Sequence, residues 1–206
     1  MATQDIYDAV IQYNGKGIAD LVQAELDSGT DIEILLKQGL ISPMDKIGQD
    51  FSEGELFIPE MLMAAKAMKK GLEVLRPHLT QTASKPKGTV IIGTVHGDLH
   101  DIGKNLVAMM LEGAGFKVID LGVNVETKKF INATNENDAK IVGLSALLTT
   151  TMPAMEKTVT ALKKEIPGIK IMVGGAPLTK SSANKIGAEG YGEDAPSAVK
   201  LAREFI

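Results

Sequence analysis

The chain has 206 residues, 44 % of them apolar, no cysteine and a formal charge of -4. That length and apolar share suit one large or two small packed domains. The missing cysteines exclude disulfides and thiolate metal sites, and the mild acidity argues against a nucleic-acid binder, which would carry a concentrated basic patch. The amino terminus has no basic region followed by an apolar one, and no run approaches the roughly 18 apolar residues of a membrane span. The expectation is a soluble, unprocessed, cytoplasmic protein with no membrane partner.

From Asp5 to about Leu79 the periodicity is helical. Ile6, Ala9, Val10 and Tyr13 predict one short helix, and Ile18, Leu21, Val22, Ala24 and Leu26 a second, ended by Ser28-Gly29. Asp31 is placed to cap Ile32–Leu36, and Ser42-Pro43 to start a helix at the turn where proline is tolerated. A longer helix is expected from Pro59 to about Arg76, with Met61, Leu62, Ala65, Met68, Leu72 and Leu75 on one face. These spacings describe a four- or five-helix bundle. Met44, Met61, Met63 and Met68 read first as core fillers. Phe51 and the run Leu56-Phe57-Ile58, flanking Gly54, read as a helix end that turns apolar bulk outward.

The polar segment from Thr80 to Gly88 breaks the composition and predicts a linker, giving domains at 1–79 and 89–206. Beyond it, strands read at Thr89–Val95, Lys117–Leu121, Lys140–Ser145, Ile169–Gly174 and Ala188–Tyr191. Helices read at Ile102–Gly113, Thr127–Asn135, Met152–Glu165, Leu178–Ile186 and Ala195–Phe205. Alternation of this kind predicts a doubly wound, five-stranded parallel sheet of flavodoxin-like type. Near-continuous Val and Ile runs fit strands covered on both faces.

That topology sends several loops to one sheet edge. The first carries His96-Gly97-Asp98-Leu99-His100-Asp101-Ile102-Gly103. Asp98 and His100 are two apart, so an extended backbone projects both to one side, where the carboxylate can steer the imidazole as a metal ligand. The plainer reading makes Asp98 a helix cap and His100 incidental. The loop after the third strand offers hydroxyls at Ser145, Thr149, Thr150 and Thr151; the fourth offers Gly174-Gly175, and the fifth Tyr191-Gly-Glu-Asp194. No nucleotide-binding code fits: five residues separate Gly97 from Gly103, Asn105 stands where a phosphate loop needs a hydroxyl, and Gly93, Gly97 and Gly103 lack the dinucleotide spacing.

Asp98-Leu-His100-Asp-Ile-Gly103, Ser145-Ala-Leu147 and Gly174-Gly175 resemble the D-x-H-x-x-G, S-x-L and G-G signature of the cobalamin-binding domain of methionine synthase and its relatives. The intervening segments, 104–144 and 148–173, suit that family's spacing. The resemblance covers the second domain, and the helical region looks like the cap that accompanies it in methyl-transferring members. It implies a cobalamin or related corrinoid cofactor with His100 as lower axial ligand of cobalt, Asp98 hydrogen-bonded to the ring, and Thr151 completing a proton relay where methionine synthase has serine. It further implies cofactor contacts from Gly97, Asp101, Ile102, Gly103, Leu147, Thr149 and Tyr191, with Ser145 binding the displaced nucleotide tail and Gly174 and Gly175 leaving room for it. Phe51 and Ile58 would shield the upper methyl.

The chain is similar to the small corrinoid shuttles of methylamine, methanol, betaine and aromatic O-demethylase systems. The implied partners are a substrate-specific corrinoid methyltransferase, a second methyltransferase serving tetrahydrofolate or coenzyme M, and a reductive activase. Such a protein is a carrier more than a complete enzyme. The rivals are a cobalamin-dependent sensor or transcription regulator, and a flavodoxin-like module binding flavin or nucleotide.

Overall fold

The computed structural model describes residues 2–79 and 86–206, so most of the expected linker, residues 80–85, lies outside the described residues. The chain falls into two compact units: residues 1–85 with 112–115, and 86–111 with 116–206.

The helical unit contains α1 (Ala2–Ile11), α2 (Ile18–Asp27), α3 (Ile32–Ile34), α4 (Ser42–Ser52) and α5 (Ile58–Leu79). Tyr13, expected within the first helix, follows it in the left-handed region at φ 61°. Gly29 at φ 83° closes the end of α2, donating to Leu26 O at 3.0 Å. Asp31 caps α3 by accepting from Ile34 N at 3.1 Å. The chain then winds into a π-helical segment, Leu35–Ile41, where the sequence predicts helix only as far as Leu36. Local propensity cannot announce such a widening, because it arises from how neighbouring helices pack. The last helix begins at Ile58 and runs to Leu79, carrying Pro77 in its final turn, where one lost amide bond is tolerable. Met44, Met61 and Met68 are buried with Ile6, Ile18, Leu35, Leu40, Ile47 and Leu75, whereas Met63 is exposed. Each such buried side chain contributes about 1.5–3 kcal/mol of transfer free energy.

The second unit is a five-stranded, all-parallel sheet in the order β2-β1-β3-β4-β5. Its strands are β1 (Thr89–Thr94), β2 (Lys117–Asp120), β3 (Ile141–Ser145), β4 (Lys170–Gly174) and β5 (Gly190–Gly192). Its helices are α6 (Ile102–Gly113), α7 (Thr127–Glu136), α8 (Met152–Glu165), α9 (Lys180–Lys185) and α10 (Ala195–Glu204). Val95 lies past β1 and keeps only an isolated bridge to Val125. The ninth helix is shorter than its apolar pattern suggests because Thr179 and Ser182 form a capping box that fixes its start. Ile91, Val142, Leu144, Ile171 and Val173 join Phe130, Met155, Val159 and Leu162 in one core cluster. A Cβ on Gly93 would stand 2.8 Å from Phe130 Cζ, so glycine lets that ring seat against β1. The strand order reverses between β1 and β3, and ligands of such sheets bind outside the carboxyl ends at that point.

Candidate functional site

The loop leaving β1 is fixed before any side chain of functional interest is reached. Thr94, fully buried, donates its hydroxyl to His100 O at 2.8 Å, and Thr94 N donates to Gly122 O at 3.0 Å. Gly97 turns the chain at φ 84°, and Asp98 N then donates back to Val95 O at 3.1 Å. The carboxylate of Asp98 is thereby directed inward and is fully buried.

Five donors converge on that carboxylate. Oδ1 accepts from His100 N at 3.1 Å and pairs with His100 Nδ1 at 2.7 Å. Oδ2 accepts from Leu147 N at 2.8 Å, Leu148 N at 3.2 Å and Thr151 Oγ1 at 2.9 Å. Asp98 therefore ties the loop after β1 to the loop after β3, and it does not cap α6. Burial pushes the carboxyl toward neutrality, but the hydrogen bonds from His100 N, Leu147 N, the imidazole and Thr151 outweigh it and hold the group far below the usual carboxylate range. An ionised carboxylate only accepts, so His100 Nδ1 carries a proton, and in the neutral ring Nε2 is the nitrogen with the free lone pair. Among the described residues the ring makes its one hydrogen bond at Nδ1, and about half of the side chain is exposed.

Around the imidazole the surface is apolar. Leu99 and Ile102 are 70 % and 77 % exposed, and Leu147 and Leu148 are 43 % and 41 % exposed. Gly103 has open space where a Cβ would be. Asp101 is exposed and its Oδ2 accepts from Asn105 Nδ2 at 3.0 Å.

The structure brings together Asp98, His100, Leu147 and Thr151 from the expected set. Thr151 is buried and Thr149 exposed, both in a 3-10 turn that precedes α8, so only one of those threonine hydroxyls reaches Asp98. Ser145 ends β3 in register with Thr94 and Gly174, at the sheet edge. Gly175 sits at φ 135°, and a Cβ there would stand 1.8 Å from Ala146 O. Its lack of a side chain is thus already demanded by the loop after β3. Tyr191 lies in β5, partly buried against the sheet core. Phe51 and Ile58 belong to the helical unit: Phe51 is half-buried in α4, and Ile58 is 47 % exposed at the start of α5 beside Phe57 at 70 %.

Sequence reasoning missed Leu148, Asn124 and Lys104, and the role of Leu147. Leu147, expected as a cofactor contact, and Leu148 meet Asp98 through backbone N–H groups, which no side-chain pattern reveals. Asn124, after β2, accepts from Gly97 N at 2.8 Å. Lys104, 3 % exposed, is held by Asn105 Oδ1 at 2.6 Å and by Asp120.

The donor set has a chemical meaning. Among the described residues, the only three carboxylate or imidazole groups close enough to share a bare ion are Asp50, Glu53 and Glu55, in the helical unit. His100 stands outside that group as an oriented nitrogen donor, in a loop that also exposes Leu99 and Ile102. One imidazole cannot fill a bare ion's coordination sphere, but it suits a metal already chelated in a flat, largely apolar macrocycle.

Comparison with known proteins agrees. B12 binding domain families match residues 88–200 and 2–76. The chain is 42 % identical over 203 residues to trimethylamine corrinoid protein 1 of Methanosarcina acetivorans, covering 97 % of this chain and 94 % of that one. It is 37 % identical over 207 residues to a corrinoid protein of Desulfitobacterium hafniense strain Y51, covering 98 % and 96 %. Among solved structures, a chain of the methanol:cobalamin methyltransferase complex of Methanosarcina barkeri superimposes with a TM-score of 0.88 at 30 % identity, over 98 % of this chain and 78 % of that chain. With a B12-binding match on each of its two units and a full-length likeness to such relatives, the chain belongs to the corrinoid proteins of methyltransferase systems, which use a cobalamin or related corrinoid as cofactor.

Proposed function

We propose that this corrinoid protein accepts a methyl group from a substrate-specific corrinoid methyltransferase and yields it to a second methyltransferase, with tetrahydrofolate or coenzyme M as acceptor and a reductive activase as a further partner. The relatives named above support a carrier over a sensor, since they bear methylamine and methanol names. When bound, the corrinoid supplies a cobalt centre able to take up and release a methyl group.

The observation that carries the reading is the fixed Asp98–His100 pair at the carboxyl end of β1. In this proposal His100 would hold the cobalt of the corrinoid through Nε2, while Asp98 fixes the tautomer of the ring. Nε2 could instead hold a proton, with the Asp98 carboxylate beside Nδ1 stabilising the imidazolium. Thr151 completes the relay: its single hydroxyl hydrogen faces two acceptors, Asp98 Oδ2 and Leu148 O, each at 2.9 Å. It can strengthen or relax its hold on Asp98 by a rotation of one bond. Asp98, His100 and Thr151 are therefore proposed as the catalytic group.

Gly97, Asp101, Ile102, Gly103, Leu147, Thr149 and Tyr191 are proposed to line the cofactor, Ser145 to meet its nucleotide tail, and Gly174 and Gly175 to leave that tail room. Support comes from the exposed apolar side chains in the two loops that Asp98 joins and from the open space beside Gly103. Phe51 and Ile58 are proposed to shield the methyl group, with residues 1–79 as cap, 80–88 as linker and 89–206 as cofactor domain. Among the described residues no helix is long and apolar enough to cross a membrane; a cytoplasmic location is part of the proposal.

The test has two arms. Purified protein is incubated with hydroxocobalamin and desalted; wild type retains colour, and His100→Ala retains it with an altered visible spectrum. The reduced, loaded protein is then offered methylamines, methanol, betaine or aromatic methyl ethers with their methyltransferases, and spectral change with one donor identifies it. A colourless wild type, or identical spectra for wild type and His100→Ala in every oxidation state, overturns the proposed ligation.

A further inference from the structure

We infer that Asn124 is a positioning residue for the Asp98–His100 pair, acting as a prolongation of the β1–β2 ladder beyond the end of either strand. This rests on the reading of His100 as ligand, and it names a residue outside the loop motifs that suggested that reading.

Leu121 N donates to Ile92 O at 2.8 Å, Thr94 N to Gly122 O at 3.0 Å and Val125 N to Thr94 O at 2.9 Å, so the two chains stay paired past the strand ends. At Gly97 the first chain turns through φ 84°, and ordinary strand pairing can no longer follow it. Asn124 replaces that pairing with two bonds. Its own N–H donates to Asp98 O at 2.9 Å, and its side-chain Oδ1 accepts from Gly97 N at 2.8 Å. The peptide groups on both sides of the Gly97–Asp98 link are gripped by a single residue, which fixes where Asp98 leaves the backbone.

The residue type fits this task. Asn124 lies in the left-handed region at φ 52°, which costs most side chains about 1–2 kcal/mol and which asparagine tolerates. Its amide oxygen then substitutes for a backbone carbonyl. Held by Asn124 through the backbone and by Leu147, Leu148 and Thr151 through the carboxylate, Asp98 has little freedom to rotate. The distance from Asp98 to His100 Nδ1 depends on that restraint.

Three variants separate the side-chain grip from the backbone conformation. Asn124→Gly keeps the left-handed turn and removes the acceptor; Asn124→Asp keeps both; Asn124→Ala removes the acceptor and strains the turn. In the cofactor-free protein, hydrogen exchange at the Gly97 amide is expected to rise about threefold to tenfold in Asn124→Gly, following loss of one hydrogen bond, and to stay near wild type in Asn124→Asp. The His100 Nδ1–H proton resonance, which reports the bond to Asp98, is expected to broaden or move upfield in Asn124→Gly and to be retained in Asn124→Asp. Offered hydroxocobalamin, Asn124→Gly should show a smaller fraction of the histidine-dependent spectrum than wild type. Unchanged resonance and exchange in Asn124→Gly, or equal loss in Asn124→Gly and Asn124→Asp, overturns the inference. Because the first two readouts use protein without cofactor, a failure of corrinoid uptake by wild type would count against the proposed function alone.

Discussion

The two units bury different chemistry. Among the described residues, every buried polar or charged side chain (Thr94, Asp98, Lys104, Thr134, Thr151 and Thr158) lies in the sheet unit, whereas the buried side chains of the helical unit are apolar and rich in methionine. The helical unit keeps its acidic groups outside, with Glu53 and Glu55 exposed. Buried polar groups bonded on every side specify one geometry, and an apolar core with flexible thioethers accepts several. The sheet unit is built to aim a particular atom, and the helical unit to fill its own core.

The sharpest way to break this contrast is to compare glycines. Gly175→Ala should cost at least about 3 kcal/mol, combining a forbidden φ with a collision against Ala146 O. Gly54 also has a positive φ, 80°, but nothing lies within 4 Å of its absent Cβ, so Gly54→Ala should cost only about 1 kcal/mol. Denaturant midpoints for the pair measure the difference. Equal losses would mean that the loop after β3 yields as readily as a surface turn.

Charge offers the next test. Asp98→Asn should cost about 2–4 kcal/mol, because it replaces one acceptor oxygen with an NH2 donor that faces buried donors. Glu53→Gln, on the exposed side of the helical unit, should stay within about 0.5 kcal/mol of wild type. The pH dependence supplies a sign. The folded state holds the Asp98 carboxyl below its ordinary value of 3.8, so the unfolded chain binds this proton first as acid is added. The contribution is complete above that range and is lost as the pH falls through it. The stability gap between wild type and Asp98→Asn should therefore be widest near neutrality and narrow below about pH 4, read from urea midpoints at successive pH values.

The narrowest contrast is between the two cores. Met68→Leu should cost less than about 1.5 kcal/mol, since volume is nearly conserved and no hydrogen bond is involved. Thr151→Val is equally conservative in shape but removes a donor from Asp98 and should cost about 1–3 kcal/mol. If Met68→Leu proved the more damaging in thermal melts, the helical core would be the more exacting of the two.

The same contrast explains how far the sequence could be read. The sheet showed itself through near-continuous Val and Ile runs alternating with helical periods, with most element ends within a residue or two of those observed. The i, i+2 spacing foretold that Asp98 and His100 would face one another, and the loop order foretold that Thr151 would come near. What stayed hidden was carried by backbone groups or long-range packing: the amides of Leu147 and Leu148, the left-handed turn at Asn124, the π-helical segment at Leu35–Ile41. Exposure of Leu99 and Ile102 was also invisible, because an apolar residue beside a helix start reads as core. In the helical unit, methionine marked the core at Met44, Met61 and Met68 but gave no hint that Met63 would face solvent.

The bond from Leu147 N to Asp98 spans 49 positions of sequence. A chain synthesised only through α6 and β2 contains the histidine and its carboxylate, but nothing yet holds the far oxygen. The imidazole is therefore aimed only after β3 has docked beside β1. Under the ligation proposed for His100, firm binding of the cofactor would report completed assembly of the sheet.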